Sequence, residues 1–174
     1  MNSQGKQPTH VFLQSGVGSF AAAIAAFLHN KYPENPPRVI VFEPYNAGCL
    51  YKSAQQGALT EVDGDLETMC AGMACGIPSS LAWPILRDIA TAFVMHSDNM
   101  AGNGMILSKE NGVEAGECGG VGLGILNHVM TQEDEMSTQF CNDIGLDSSS
   151  VVCLINTEGA TDPVNYEKVV SAPM

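Results

Sequence analysis

A short apolar run, His10-Val-Phe-Leu-Gln14, ends in Ser15-Gly16-Val17-Gly18 and is followed at once by the alanine-rich stretch Ser19 to Lys31. That succession predicts a strand, a tight turn and a helix. It restricts the fold more than any other feature, because a strand that feeds a helix is committed to a crossover connection and not to a hairpin. Pro33, Pro36 and Pro37 stop the helix. Arg38-Val-Ile-Val-Phe-Glu43 then reads as a second strand, apolar at successive positions as strands covered on both faces are. Together these pieces predict a βαβ unit.

The same reading continues along the chain. Helices are expected over Asn46 to Gly57, Leu66 to Cys75 and Ser79 to Thr91, the last with Ser79 or Ser80 as N-cap. Ala92 to His96 is a third strand. Asp98 is a candidate cap for a helix running to about Leu107, and helices over Gly116 to Met130 and Ser137 to Ile144 precede a fourth strand, Ser150 to Ile155. Ser108 to Glu114 reads as an exposed polar loop. Strands alternating with helices predict the α/β class: one parallel sheet of about four strands with helices on both faces, in a single domain over 1–174.

Charge excludes some partners. Seven Lys and Arg against 19 Asp and Glu give a net charge of −12, which leaves no basic stripe for nucleic acid or an anionic membrane surface. With no run of some ~18 apolar residues and a polar start, the chain reads as soluble and cytoplasmic. Cysteines at 49, 70, 75, 118, 141 and 153 form no Cys-x-x-Cys pair, and His10, His29, His96 and His128 form no ligand motif, so no metal is expected. Trp83 and Met69, Met73, Met95, Met100 and Met105 read as core.

The glycine turn carries chemistry. Gly16-Val-Gly-Ser-Phe-Ala21 lies between strand and helix, where glycines let backbone N–H groups approach an anion at the positive end of the helix. It also fits G-x-G-x-x-A, with Glu43 about where a dinucleotide fold places its ribose-binding carboxylate. On pattern alone a phosphate cofactor such as pyridoxal 5′-phosphate (PLP) and a nucleotide both remain open. A turn that needs glycine only for close helix contact is the structural reading.

Longer strings decide among these. Pro8 to Gly18 and Val41-Phe-Glu-Pro44 resemble the phosphate-loop strand and the Val-Glu-Pro strand end of the diaminopropionate ammonia-lyases. Thr68 to Pro78 resembles their Ala-Gly-Leu-Ala-Cys-Gly-x-Pro segment, and Ala82-Trp-Pro-Ile-Leu-Arg87 their Gly-Trp-x-Ile-Leu-Arg. Gly116 to Gly124 is similar to Gly-Glu-Ser-Gly-Ala-Val-Gly-Leu-Gly, with Cys118 for the serine. Asn156 to Asp162 is similar to Ser-Thr-Glu-Gly-Asp-Thr-Asp, with Asn156 for serine and Ala160 for aspartate. The matches are collinear and span nearly the whole chain.

The resemblance implies a fold-type II, tryptophan synthase β-like PLP enzyme that eliminates ammonia from 2,3-diaminopropionate to give pyruvate. The chain would correspond to the C-terminal large-domain part, with the lysine-bearing N-terminal part absent and activity lost when the chain stands alone. By match, Gly16, Val17, Gly18, Ser19 and Phe20 would hold the phosphate, joined by Glu117, Asn156 and Thr157 in binding the cofactor. No catalytic residue is assigned, because none of Lys6, Lys31, Lys52, Lys109 and Lys168 lies in the family's lysine context. The expected partners are an amino acid substrate in the complete enzyme and a second copy of the chain or a complementary N-terminal chain. A nucleotide-binding βαβ module and a non-catalytic interaction domain are the alternatives.

Overall fold

In the computed structural model, which describes residues 5–171, the strand, turn and helix form where expected, with β1 at His10–Gln14 and α1 at Ser19–Lys31. There follow β2 (Arg38–Pro44), α2 (Cys49–Gln56), α3 (Ala82–Ile89), β3 (Ala90–His96), α4 (Asp98–Glu110), α5 (Glu117–Thr131), α6 (Glu135–Ile144), β4 (Val152–Leu154) and α7 (Pro163–Val170). The four strands make one sheet in the order β3-β2-β1-β4, and every pair is parallel.

Strand alternation sorts the core into two layers. Val11 and Leu13 of β1 and Val39 and Val41 of β2 face α1, α2 and α3. Phe12, Ile40 and Phe42 face the other way, toward α5, α6 and Ala101 of α4. Both faces are therefore covered, which is why β1 and β2 are apolar at successive positions. Glycines let α5 come close on two sides. Its Gly122 lies under the Phe42 ring and Leu154, while Gly120 and Gly124 meet the backbone of α4 at Gly104 and Met100. Among the described residues no helix is long and apolar enough to cross a membrane.

Several expectations need correction. Leu66 to Cys75 is not a helix: only Ala71–Met73 makes a 3-10 turn, and Leu66 has φ 54°. The reason lies in competing hydrogen bonds. The Asp98 carboxylate accepts from the Thr68 hydroxyl at 2.6 Å and the Met69 N–H at 3.0 Å, and the Thr68 hydroxyl accepts the Cys70 N–H. Asp98 thus holds this segment and does not cap α4, whose N-cap is Ser97. The expected Asn46 to Gly57 helix is a 3-10 turn, Tyr45–Ala47, followed by α2. Ser108 belongs to α4, buried, its hydroxyl donating to the Gly104 carbonyl. Helix α7 was missed, although Asp162-Pro163 is its start signal: Asp162 accepts the Val164 and Asn165 N–H groups and Pro163 takes the first helical position.

Candidate functional site

The sheet order creates a switch point. From β1 the chain moves to β2 on one side, and β4 arrives on the other. In doubly wound sheets the loops leaving two such strands diverge and leave a crevice beyond their carboxyl ends. Here the loop after β1 and the loop after β4 bound a cavity of about 570 Å³.

The β1 wall is built from backbone. Gly18, the N-cap of α1, has φ 99°, and α1 has no side chain capping it. Among the described residues no protein group accepts a hydrogen bond from the N–H groups of Gly16 through Ala21. Six consecutive uncommitted donors at the positive end of a 13-residue helix can hold an anion. Gly16 is required by contact, since a Cβ there would come within 2.9 Å of Cys75 Sγ and 3.0 Å of the Gly72 carbonyl oxygen.

The opposite wall is built from side chains that lock the loop after β4. The Gln14 amide reaches across from the end of β1 and donates to the Ile155 carbonyl and the Thr157 hydroxyl, both at 2.8 Å. Glu158 accepts the Cys118 N–H at 2.9 Å and the Thr161 hydroxyl at 3.0 Å, tying the loop to the first turn of α5. Glu114 receives the Asn156 amide at its carbonyl and the Ala160 N–H at its carboxylate. Two helix N-termini, of α1 and α5, therefore contribute to one cavity.

Three of the expected residues line that cavity: Gly16, Phe20 and Thr157. Val17, Gly18 and Ser19 form the turn behind it. Glu117 and Asn156 are not in the lining. Glu117 accepts a hydrogen bond from the Asn165 amide of α7, and Asn156 braces the loop through Glu114 and the Glu158 N–H. Sequence reading did not assign Gln14, Ser15, Gly72, Met73, Cys118, Glu158, Gly159 or Thr161 to the cavity wall. Gln14 at a strand end and the quoted Cys118 and Glu158 motifs were the available signals, but only the fold brings positions 14, 72, 118 and 158 together.

Glu43 has a different task from binding a ribose. It is 1% exposed, and its carboxylate accepts the Leu50 N–H at 3.0 Å and the Tyr51 N–H at 2.7 Å, capping α2. This leaves no free acceptor face for a nucleotide sugar. Burial pushes its pKa up from 4.5 to about 7, against the pull of those amide donors. Between these two values the folded chain holds a proton that the unfolded chain has released, so this contribution is complete below about pH 4.5 and is lost as pH rises through 7. The difference amounts to roughly 3 kcal/mol. Urea titrations at pH 5 and pH 8 should show Glu43→Gln losing less stability on going alkaline than the parent. Equal pH slopes for the two proteins would refute this assignment.

Among the described residues no group of three or more His, Cys, Asp and Glu side chains is placed to hold a metal ion. What the site offers is a row of uncommitted amides at the switch point of a parallel sheet, with polar side chains opposite. Residues 1–141 match the family described as pyridoxal-phosphate dependent enzyme, and the chain belongs to that family. Its sheet is that of the fold-type II members. The chain is 40% identical over 171 residues to the diaminopropionate ammonia-lyase of Salmonella typhimurium, covering 94% of this chain and 42% of that protein. It matches the Escherichia coli diaminopropionate ammonia-lyase, solved in complex with an aminoacrylate-PLP azomethine reaction intermediate, with a TM-score of 0.86 and 38% identity. That match covers 98% of this chain and 44% of the solved one. Maize serine racemase, at 18% identity and a TM-score of 0.76 over 98% of this chain and 50% of its own, shares the fold alone. The chain spans less than half the length of the curated relatives it matches.

Proposed function

We propose that these residues form the phosphate-holding half of a PLP site in an ammonia-lyase acting on 2,3-diaminopropionate, equivalent to the C-terminal large-domain part of that enzyme. The observation that carries the reading is the row of uncommitted N–H groups from Gly16 to Ala21 at the β1/β4 switch point. PLP, when bound, supplies an electron-withdrawing ring that makes the α-proton of an amino acid labile and allows ammonia to leave from the β-carbon. The residues of this chain bind and orient. The amides and the dipole of α1 hold the phosphate, and Gln14 keeps the Thr157 loop at a set distance from β1. The Phe20 ring and Met73 give the cavity apolar wall. Relatives named diaminopropionate ammonia-lyase direct the substrate assignment, and the capping role of Glu43 counts against the nucleotide alternative.

A lysine to anchor the coenzyme would have to reach the cavity, and among the described residues no lysine lines it. Lys52 donates to the Glu61 carbonyl, Lys109 pairs with Glu167, and Lys31 lies over Phe27 and Tyr32. The lysine would come from another part of the enzyme, and the exposed apolar side chains Leu81, Met136 and Ile77 are surface for it or for a second copy to cover. We place the activity in the cytoplasm, where six unbridged cysteines stay reduced.

In thermal-shift titrations PLP should raise the midpoint while NAD and ATP do not. Borohydride trapping of the PLP-loaded chain should scatter label over several lysines at low occupancy, and pyruvate release from 2,3-diaminopropionate should equal that of free PLP. A midpoint raised by NAD alone would overturn the cofactor assignment. One stoichiometrically labelled lysine with pyruvate above the free-PLP rate would overturn the incomplete-site reading.

A further inference from the structure

Cys118 and Cys70 meet at the cavity wall. Cys118 is the second residue of α5 and lines the cavity. Cys70 lies behind it, fully buried, in the core layer against which Cys118 packs. Their thiols lie close enough to shift one another's protonation. Gly72 completes the contact, since a Cβ at that position would stand 3.3 Å from Cys118 Sγ. A solvent-facing thiol backed by a second, buried thiol is the arrangement in which the outer sulfur is oxidised and the inner one resolves it.

We propose that Cys118 and Cys70 are an oxidation site, in which a hydroperoxide converts Cys118 to a sulfenic acid that Cys70 then condenses with to close a Cys70–Cys118 disulfide. The steps balance. The Cys118 sulfur attacks the distal peroxide oxygen, the O–O bond breaks, and one water (or alcohol) leaves. The Cys70 sulfur then attacks the Cys118 sulfur, the S–O bond breaks, and the hydroxyl departs with the Cys70 proton as a second water. The two thiols are oxidised by two electrons and the peroxide is reduced by two.

The environment assigns the two roles. The neighbouring Cys70 thiol favours the Cys118 thiolate, supported by the Gly72 N–H and the α5 N-terminus, while burial and Glu158 oppose it; the net direction is down. Cys70 is pushed up by the same interaction and by burial, and it is the fully buried one of the two. Cys118 is therefore the attacking sulfur and Cys70 the resolving one. A bridge would pin the Thr68 to Met73 segment to the first turn of α5, joining two stretches of the cavity wall that the reduced protein holds by weaker contacts. The related motif has serine at position 118, so this site belongs to the present sequence.

The test is direct and needs no cofactor, so its outcome is independent of the proposed function. Treat the purified protein with a small excess of hydrogen peroxide, block remaining thiols, digest without reductant and locate cross-links by tandem mass spectrometry. The expected result is a Cys70–Cys118 cross-linked peptide, two hydrogens lighter than its parts, reversed by dithiothreitol and absent in Cys118→Ser. A bridge involving Cys49 or Cys75 instead, over-oxidation of Cys118 with no bridge, or no modification of either residue would each overturn the proposal. The map of the unsubstituted protein decides the matter even if the variant does not fold.

Discussion

Gly124→Ala is expected to lower stability by about 2 kcal/mol or more, although alanine is the better helix former by ~1 kcal/mol. A Cβ at Gly124 would lie 1.9 Å from the Met100 carbonyl oxygen of α4. The obstacle is backbone, so it cannot rotate away as a side chain would, and α4 must move off α5. Gly104 on α4 and Gly120 on α5 have the same difficulty, with Cβ positions 2.1 Å from the Gly120 carbonyl oxygen and 2.9 Å from the Met105 nitrogen, respectively. Separation costs the close contact of the two helices and disturbs Ala101, Val121 and Ile125 in the core layer beneath. Gly102→Ala is the comparison. It sits on α4 with Val169 Cγ1 at 3.7 Å as the nearest obstruction, so helix propensity should prevail and stability should hold or rise slightly. Urea or thermal unfolding of both variants checks this. A Gly124→Ala midpoint equal to the parent's, or an equal loss in Gly102→Ala, would show that close helix approach is not what these glycines serve.

Gly18→Val should weaken binding of inorganic phosphate and of PLP at least tenfold. The φ of 99° at Gly18 is one that a β-branched residue adopts only at a cost of ~1–3 kcal/mol. The cause is strain in the backbone and not obstruction of the amides. The new Cβ would point away from the cavity, 3.1 Å from both Ala82 Cβ and Leu50 Cδ1 and 3.3 Å from Leu86 Cδ1. Relief requires the first turn of α1 to swing off α2 and α3. The Gly16 to Ala21 amides would then be displaced from the cavity wall, and affinity falls. Calorimetric titration, with circular dichroism to confirm the fold, reads the effect. Gly18→Ala, with less bulk in the same strained conformation, should show a smaller loss of the same sign. Parent-like affinity in both variants would reduce the loop to a structural turn.

The strands, most of the helices around them and the class of fold were legible because they depend on local properties. Apolar runs, alanine-rich stretches and proline stops decide what His10 to Glu43 can do wherever the rest of the chain lies, and the collinear motifs point to the family. Where local signals competed, sequence reading failed. Leu66 to Cys75 has the composition of a helix, but Asp98, thirty residues on, takes the Thr68 hydroxyl and the Met69 N–H. Glu43 fits a ribose-binding pattern and is instead consumed by the amides of α2.

Strand order is the clearest divide. Nothing within Val152 to Leu154 says that it will pair with His10 to Phe12, yet that pairing makes the switch point and brings Thr157, Glu158 and Gly159 opposite the glycine turn. The Cys70–Cys118 contact and the glycine seam between α4 and α5 likewise exist only between elements. The sequence by itself determined the four strands, the glycine turn between β1 and α1 and the family, because each is written in consecutive residues. Tertiary structure alone decided which distant side chains share a wall, because that depends on burying both faces of one sheet at once.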